Sequence, residues 1–135
     1  MKKETNDRPH DYEKLTSNFE KHVGIVLKEV SDGAARAEMK VTEQLVNRIN
    51  TAHGGAIFTL ADKAFAAAAN FAGRTTVTMQ MNINYLRPGI LGDMLVAEAR
   101  QVRAGEKTCF YEVDVKEKKT QKLIAVLTAT GFILD

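Results

Sequence analysis

Residues 54–73 read GGAIFTLADKAFAAAANFAG, apolar almost throughout, and this stretch decides the fold. A membrane-spanning helix needs about 20 mostly apolar residues, so the length alone would allow one. Asp62 and Lys63 sit in the middle of the run, however. An ionised side chain at the bilayer centre costs at least ~2.5 kcal/mol on insertion scales. The run is also rich in alanine rather than leucine. It reads as a soluble helix buried on nearly all sides, and such a helix needs something wrapped around it.

The flanking sequence supplies the wrapping. Upstream, 12–22 carries Tyr12, Leu15 and Phe19 at helical spacing, and 23–30 reads as a strand. Ser31-Asp32-Gly33 is a turn, after which Ala35, Ala37, Met39 and Val41 alternate with Arg36, Glu38 and Lys40, the pattern of a hairpin with one buried face. Residues 42–53 are a loop. Downstream, Val77, Met79, Met81, Ile83 and Tyr85 alternate with Thr76, Thr78, Gln80, Asn82 and Asn84. That assigns the first set to one face of a strand and the second to the other. Strand-like runs follow over 94–103, 107–116 and 123–134, with short turns that favour antiparallel meander pairing. The order is helix, two strands, long helix, four strands. It argues an α+β fold in which a curved antiparallel sheet wraps one long central helix.

Composition bounds the rest. A chain of 135 residues with 44% hydrophobic content is one domain's worth, expected over 12–135 behind a polar N-terminal tail at 1–11. Nineteen basic against seventeen acidic side chains leave a net charge of +2, which removes the electrostatic case for a nucleic-acid partner. The N-terminus has no apolar core and so is not a secretory signal; a cytoplasmic protein with no membrane partner is expected. Cys109 is the only cysteine, which excludes an intrachain disulfide and a thiolate cluster. It alternates with Tyr111, Val113 and Val115 as a core thiol would. His10 and His22 lack partners at metal-ligand spacing, so neither a metal nor a cofactor is expected.

GxSxG, HExxH, CxxC, P-loop and GxGxxG patterns are all missing. Only two serines exist, Ser17 and Ser31, and neither is read in a helix-start or elbow context. Chemistry-bearing residues gather instead at the start of the buried helix. Gly54-Gly55 would leave backbone N–H groups open beside the helix dipole, suited to a carbonyl oxygen or oxyanion; a plain tight turn packed on a neighbour is the other reading. Asp62 is an acid within an apolar helix, where burial tends to raise a carboxyl pKa and suits a base or nucleophile. Its alternative is a solvent-facing acid. Lys63 is no natural partner, since adjacent helix residues point about 100° apart. His53 could be a base or a capping residue. Thr78, on the polar face of its strand, could orient a water or simply face solvent.

Spacing then imposes a condition. Gly54 and Asp62 are eight residues apart, so along one helix they are separated by roughly 12 Å at 1.5 Å per residue. Both cannot touch one reacting carbonyl at about 3 Å. If both act, each comes from a different chain, and the active site is dimeric.

The combination Asn47-x-x-Asn50-x-x-His53-Gly54-Gly55, Leu60-Ala61-Asp62, and Tyr85-Leu86-Arg87-Pro88-Gly89 with Gly92-Asp93 resembles the hot-dog-fold acyl-CoA thioesterases of the phenylacetate-degradation, PaaI-like type. The resemblance extends over 12–134 and implies a hot-dog fold. It implies Asp62 as general base or nucleophile, the Gly54 N–H of the opposing subunit polarising the thioester carbonyl, and Asn47 supporting the loop or touching the acyl group or water. It further implies that the Thr78 hydroxyl helps hold the water and that His53 is mainly structural. Gly55, Arg87, Arg103 and Lys107 are expected at the substrate, the cations meeting coenzyme A phosphates. Relatives usually carry Gly where Asn50 stands, but Asn tolerates a left-handed backbone. The implied partner is an aryl- or medium-chain acyl-CoA, and the implied assembly a homodimer, commonly paired into a homotetramer. Two alternatives stay open: a hot-dog hydratase or dehydratase, which needs a paired catalytic histidine, and a non-catalytic acyl-CoA-binding protein.

Overall fold

The computed structural model describes residues 12–134; the polar tail expected over 1–11 lies outside the described residues. The chain opens with a 3-10 turn at Tyr12–Leu15 and a short helix α1, Asn18–Val23. The hairpin β1 (Ile25–Ser31) and β2 (Ala34–Lys40) follows. The long helix α2 runs over Gly54–Asn70. Four strands complete the fold: β3 (Thr76–Tyr85), β4 (Met94–Ala104), β5 (Thr108–Glu117) and β6 (Leu123–Ile133). The element order is the one expected.

Boundaries moved where caps decided them. Val23 closes α1 instead of opening β1, because Gly24 adopts a left-handed φ of 88° and its N–H binds the Glu20 and Lys21 carbonyls. Ser17, read as outside any helix start, is the N-cap of α1. Its side chain accepts from the Glu20 N–H, while the Glu20 carboxylate accepts from the Ser17 hydroxyl and backbone N–H, the reciprocal capping box of an S-x-x-E sequence. The α2 helix stops at Asn70, whose amide donates to the Ala66 and Thr76 carbonyls and accepts from the Thr76 N–H. One side chain thus ends the helix and starts β3.

The six strands form a single antiparallel sheet in the order β1-β2-β4-β5-β6-β3. β4, β5 and β6 pair as the expected meander, and β3 crosses back to pair with β6 at the far edge. The inner face closes on α2. Ile57, Leu60, Ala61, Ala64, Phe65 and Ala68 pack against Met39, Leu95, Ala97, Val113, Leu127 and Ala129. At 0–3% exposure, each of the large side chains is worth roughly 1.5–3 kcal/mol of hydrophobic transfer. Alanines on the helix let the sheet curve close to it. Phe65 meets Tyr111 edge to face with ring centroids 5.2 Å apart. At Gly131 a Cβ would lie 2.6 Å from Thr76 Cγ2 and 2.9 Å from the Phe65 ring, so only glycine fits where the helix end meets β6.

Cys109 is buried as a core thiol, and burial pushes its pKa up. Burial, with smaller contributions from Cys109 and Asp32, pushes the Tyr111 phenol up to about 12. Among the described residues no helix is long and apolar enough to cross a membrane.

The strand β3 departs from its sequence pattern. Thr78 pairs with Gly131 and Gln80 with Thr130, which makes Met79 an extra, bulged residue. A bulge shifts the alternation by one position. Thr76 and Thr78 before it, and Met81 and Ile83 after it, therefore all face the helix. The predicted division of β3 into one apolar and one polar face fails at Met79.

Candidate active site

His53 is the N-cap of α2. Its Nδ1 accepts from the Gly55 N–H at 3.0 Å, while its carbonyl accepts from the Ala56 and Ile57 N–H groups. The ring therefore caps, as one of its two readings had it, and the Gly55 N–H is occupied. Gly54 is the first helical residue, so its N–H has no intrahelical acceptor, and none is found among the described residues. The open donor at the positive end of the helix dipole is Gly54 and not Gly55.

The loop before it is held by Asn47. Its Oδ1 accepts from the Ile49 and Thr51 N–H groups and its Nδ2 donates to Thr51 Oγ1 at 2.7 Å. That is the loop-supporting reading of Asn47. Asn50 sits at φ 61°, the left-handed conformation its amide side chain tolerates.

Two turns into α2, half-buried Asp62 accepts a hydrogen bond of 2.8 Å from Thr78 Oγ1. This contact exists because the Met79 bulge turns Thr78 to the face that carries α2, where it meets Asp62 while staying exposed. Lys63 does not pair with Asp62. It is 7% exposed and its ammonium reaches α1, 2.7 Å from Glu20 and in hydrogen bond with the Leu15 carbonyl. Burial alone would raise the Glu20 carboxyl, but hydrogen bonds from Lys63 and Ser17 more than offset this and hold it below the usual carboxylate range. Asp62 is thus left with the Thr78 hydroxyl as its named partner.

At the other end of the same strand, Tyr85 donates its hydroxyl to the Gly54 carbonyl at 2.7 Å. A Cβ at Gly54 would lie 3.0 Å from that oxygen and 3.1 Å from Cζ. The ring therefore sits against Gly54, and a larger residue there would displace it. Tyr85 was absent from the residues singled out for chemistry, since an aromatic at a strand end carries no signal of what it touches.

The substrate cations are spread out. Arg87 Nη1 donates to the Leu123 carbonyl at 2.9 Å, fixing the turn after β3. Arg103 and Lys107 flank the β4–β5 turn and are exposed. Arg100, earlier on β4, is engaged with Glu112 and Asp114 on the outer sheet face. No group of three or more His, Cys, Asp or Glu among the described residues could hold a metal.

Gly54 and Asp62 share one helix, so the separation of roughly 12 Å stands. A single chain offers an open backbone N–H at one end of β3 and a hydrogen-bonded carboxylate at the other, with the edge of β3 between them.

Known proteins match this chain across the region that carries these residues. The family model of the thioesterase superfamily matches 49–124. The acyl-coenzyme A thioesterase PaaI of Escherichia coli is 38% identical over 106 residues, covering 78% of this chain and 75% of its own. The human acyl-coenzyme A thioesterase 13 is 39% identical over 111 residues, covering 80% and 79%. Among solved structures, E. coli PaaI superposes with a TM-score of 0.87 at 32% identity over 91% of this chain and 88% of that one. A thioesterase protein from Streptococcus pneumoniae solved with coenzyme A gives a TM-score of 0.78 at 31% identity, over 82% and 85%. That protein has also been solved with alanine in place of an aspartate and of a threonine, separated by the same 16 positions as Asp62 and Thr78. The family match spans His53, Gly54, Asp62 and Thr78 together, and the chain belongs to the thioesterase superfamily as a PaaI-like hot-dog thioesterase.

Proposed function

We propose that this protein hydrolyses aryl- or medium-chain acyl-CoA thioesters to the free acid and coenzyme A, at sites shared by two copies of the chain. The observation that carries the reading is the distribution of contacts along β3. Thr78 holds Asp62 at one end and Tyr85 holds Gly54 at the other, while β3 is an edge of the sheet. Two copies paired antiparallel through β3 about a two-fold axis would set the Gly54 end of each against the Asp62 end of the other. Neighbouring strands lie about 4.8 Å apart, so pairing closes the gap that a single helix cannot. An isologous contact makes two such sites at once.

In each site the Gly54 N–H of one copy polarises the thioester carbonyl. Asp62 of the other takes a proton from a water held with the Thr78 hydroxyl, and the water oxygen attacks the carbonyl carbon. The oxyanion is stabilised at the helix N-terminus. Collapse of the tetrahedral intermediate breaks the C–S bond, and the thiolate leaves with the proton Asp62 took up. Direct attack by Asp62, through an anhydride that water opens, uses the same atoms. Capping by His53 Nδ1 leaves a hydratase without a histidine paired to the acid. Gly55, Arg87, Arg103 and Lys107 are assigned to the coenzyme A portion, with the arginines and lysine facing phosphates. Two such dimers would pair into a tetramer.

Coenzyme A release from phenylacetyl-, benzoyl- and hexanoyl-CoA, followed with a thiol reagent, tests this directly. Asp62→Asn should lower kcat by at least about a hundredfold while the dimer persists in light scattering. Wild-type turnover in that variant would end the mechanism. Tight acyl-CoA binding without turnover in the wild type would mark a binding protein instead.

A further inference from the structure

We propose that Tyr85 is a positioning residue for the oxyanion donor: its hydroxyl fixes the Gly54–Gly55 peptide and thereby the direction of the Gly54 N–H. The inference rests on the thioesterase reading above and extends it to a residue that acts through the Gly54 backbone.

Glycine is the residue with the most backbone freedom, and Gly54 opens the helix at its least constrained point. A donor that must meet a developing oxyanion gains from being set before the reaction. Both peptides flanking Gly54 are pinned here. The His53 carbonyl is held by the Ala56 and Ile57 N–H groups at 2.9 and 3.2 Å, which orients the peptide carrying the Gly54 N–H. On the following peptide, Tyr85 binds the Gly54 carbonyl at 2.7 Å and His53 Nδ1 binds the Gly55 N–H at 3.0 Å. Gly54 therefore has little room to rotate although nothing in its own chemistry restrains it. A Cβ at position 54 would press on the ring, which would have to give by a few tenths of an ångström.

The Met79 bulge makes this possible. Thr78 and Tyr85 are seven residues apart, an odd number, and a regular strand would send them to opposite faces. With Met79 extruded from the register, both turn toward α2. One strand then holds the acid and the oxyanion donor at once. Burial raises the Tyr85 phenol pKa, which keeps the hydroxyl protonated as a donor through neutral pH.

Tyr85→Phe removes one oxygen from a side chain that is 50% exposed and keeps the ring over Gly54. With hexanoyl-CoA, kcat should fall about 3- to 10-fold, the range of one net hydrogen bond, with KM changed less. Two inhibitors separate positioning from general loosening. A ketone analogue, with methylene in place of the thioester sulfur, keeps the carbonyl and should bind the variant about 3- to 10-fold more weakly. A thioether analogue lacking the carbonyl should bind both proteins alike. Unchanged kcat, or equal loss of affinity for both analogues, overturns the proposal. If Asp62→Asn also retains activity, the thioesterase mechanism has failed. If Asp62→Asn is inactive and Tyr85→Phe is normal, only the role of Tyr85 has failed.

Discussion

The two edges of the sheet are built differently, and only one of them is guarded against pairing with another strand. β1 has seven residues and carries Lys28 and Glu29 near its middle. Its register breaks between Leu27 and Glu29, leaving Lys28 as the extra residue, and Glu29 pairs with Arg36 at 2.9 Å. Short length, charge and a bulge are the features that keep an exposed edge from pairing. α1 and the turn before it also pack beside it. β3 has ten residues, TVTMQMNINY, without one charge. Val77 and Met79 are exposed along it. Its bulge turns Thr78 inward and does not blunt the edge with a cation. Of the two edges, only β3 has the composition of a strand meant to be covered, and it is the one that holds both catalytic candidates.

Charging the open edge should have the largest effect on that contrast. Asn82→Lys with Asn84→Lys sets four cations along a two-fold β3 contact, where like charges oppose each other. Dimerisation measured by sedimentation should weaken by at least about tenfold, and activity at low micromolar protein should fall with it. Val26→Lys, the same kind of change on exposed β1, should leave both unaltered. Equal effects at the two edges would abolish the distinction.

Thr78→Ala should act next, and on chemistry alone. It deletes the hydroxyl on Asp62 without touching the ladder, and kcat should fall roughly tenfold or more, as for one hydrogen bond to a charged group. The dimer and Tm should be nearly unchanged. Full activity would show that the inward turn at Met79 serves packing only.

The smallest effect belongs to the covered side. Glu20→Gln weakens the pair with buried Lys63 and should lower Tm by roughly 3–6 °C at pH 7. The Glu20 carboxyl is depressed from its ordinary value of 4.5. Its contribution is therefore present in full above that value and lost as the pH falls through the folded-state pKa. The Tm gap between wild type and variant should close in acid. A gap independent of pH would remove the ion pair from the account, while activity per dimer should not change in either case.

Much of this was readable along the chain. The apolar run at 54–73 demanded a wrapping sheet, and the alternations of 35–41 and 107–116 supplied strands with one buried face. Cys109 followed from its neighbours Tyr111 and Val113. Gly54 and Asp62 stood out because a glycine pair at a helix start and an acid within an apolar helix both oppose local propensity. Thr78 was misplaced because alternation assumes a regular strand, and the Met79 bulge is visible only as two β3 residues meeting consecutive β6 partners. Ser17 carries a weak signal because α1 has six residues, too few to show a helical period behind the cap. Lys63 could be separated from Asp62 by helix geometry, but its partner Glu20 is 43 residues away in sequence.

The sequence by itself determined the element order, the burial of the central helix and the roughly 12 Å between Gly54 and Asp62. Each of these follows from periods of two and 3.6 residues and a rise of 1.5 Å, which are properties of the local backbone. Tertiary structure decided which N–H at the helix start is open, which face Thr78 takes, and that Tyr85 closes on Gly54. Those depend on register between strands and on side chains meeting across long loops. No local propensity encodes them, because their free energy is gained only when distant segments are already in contact.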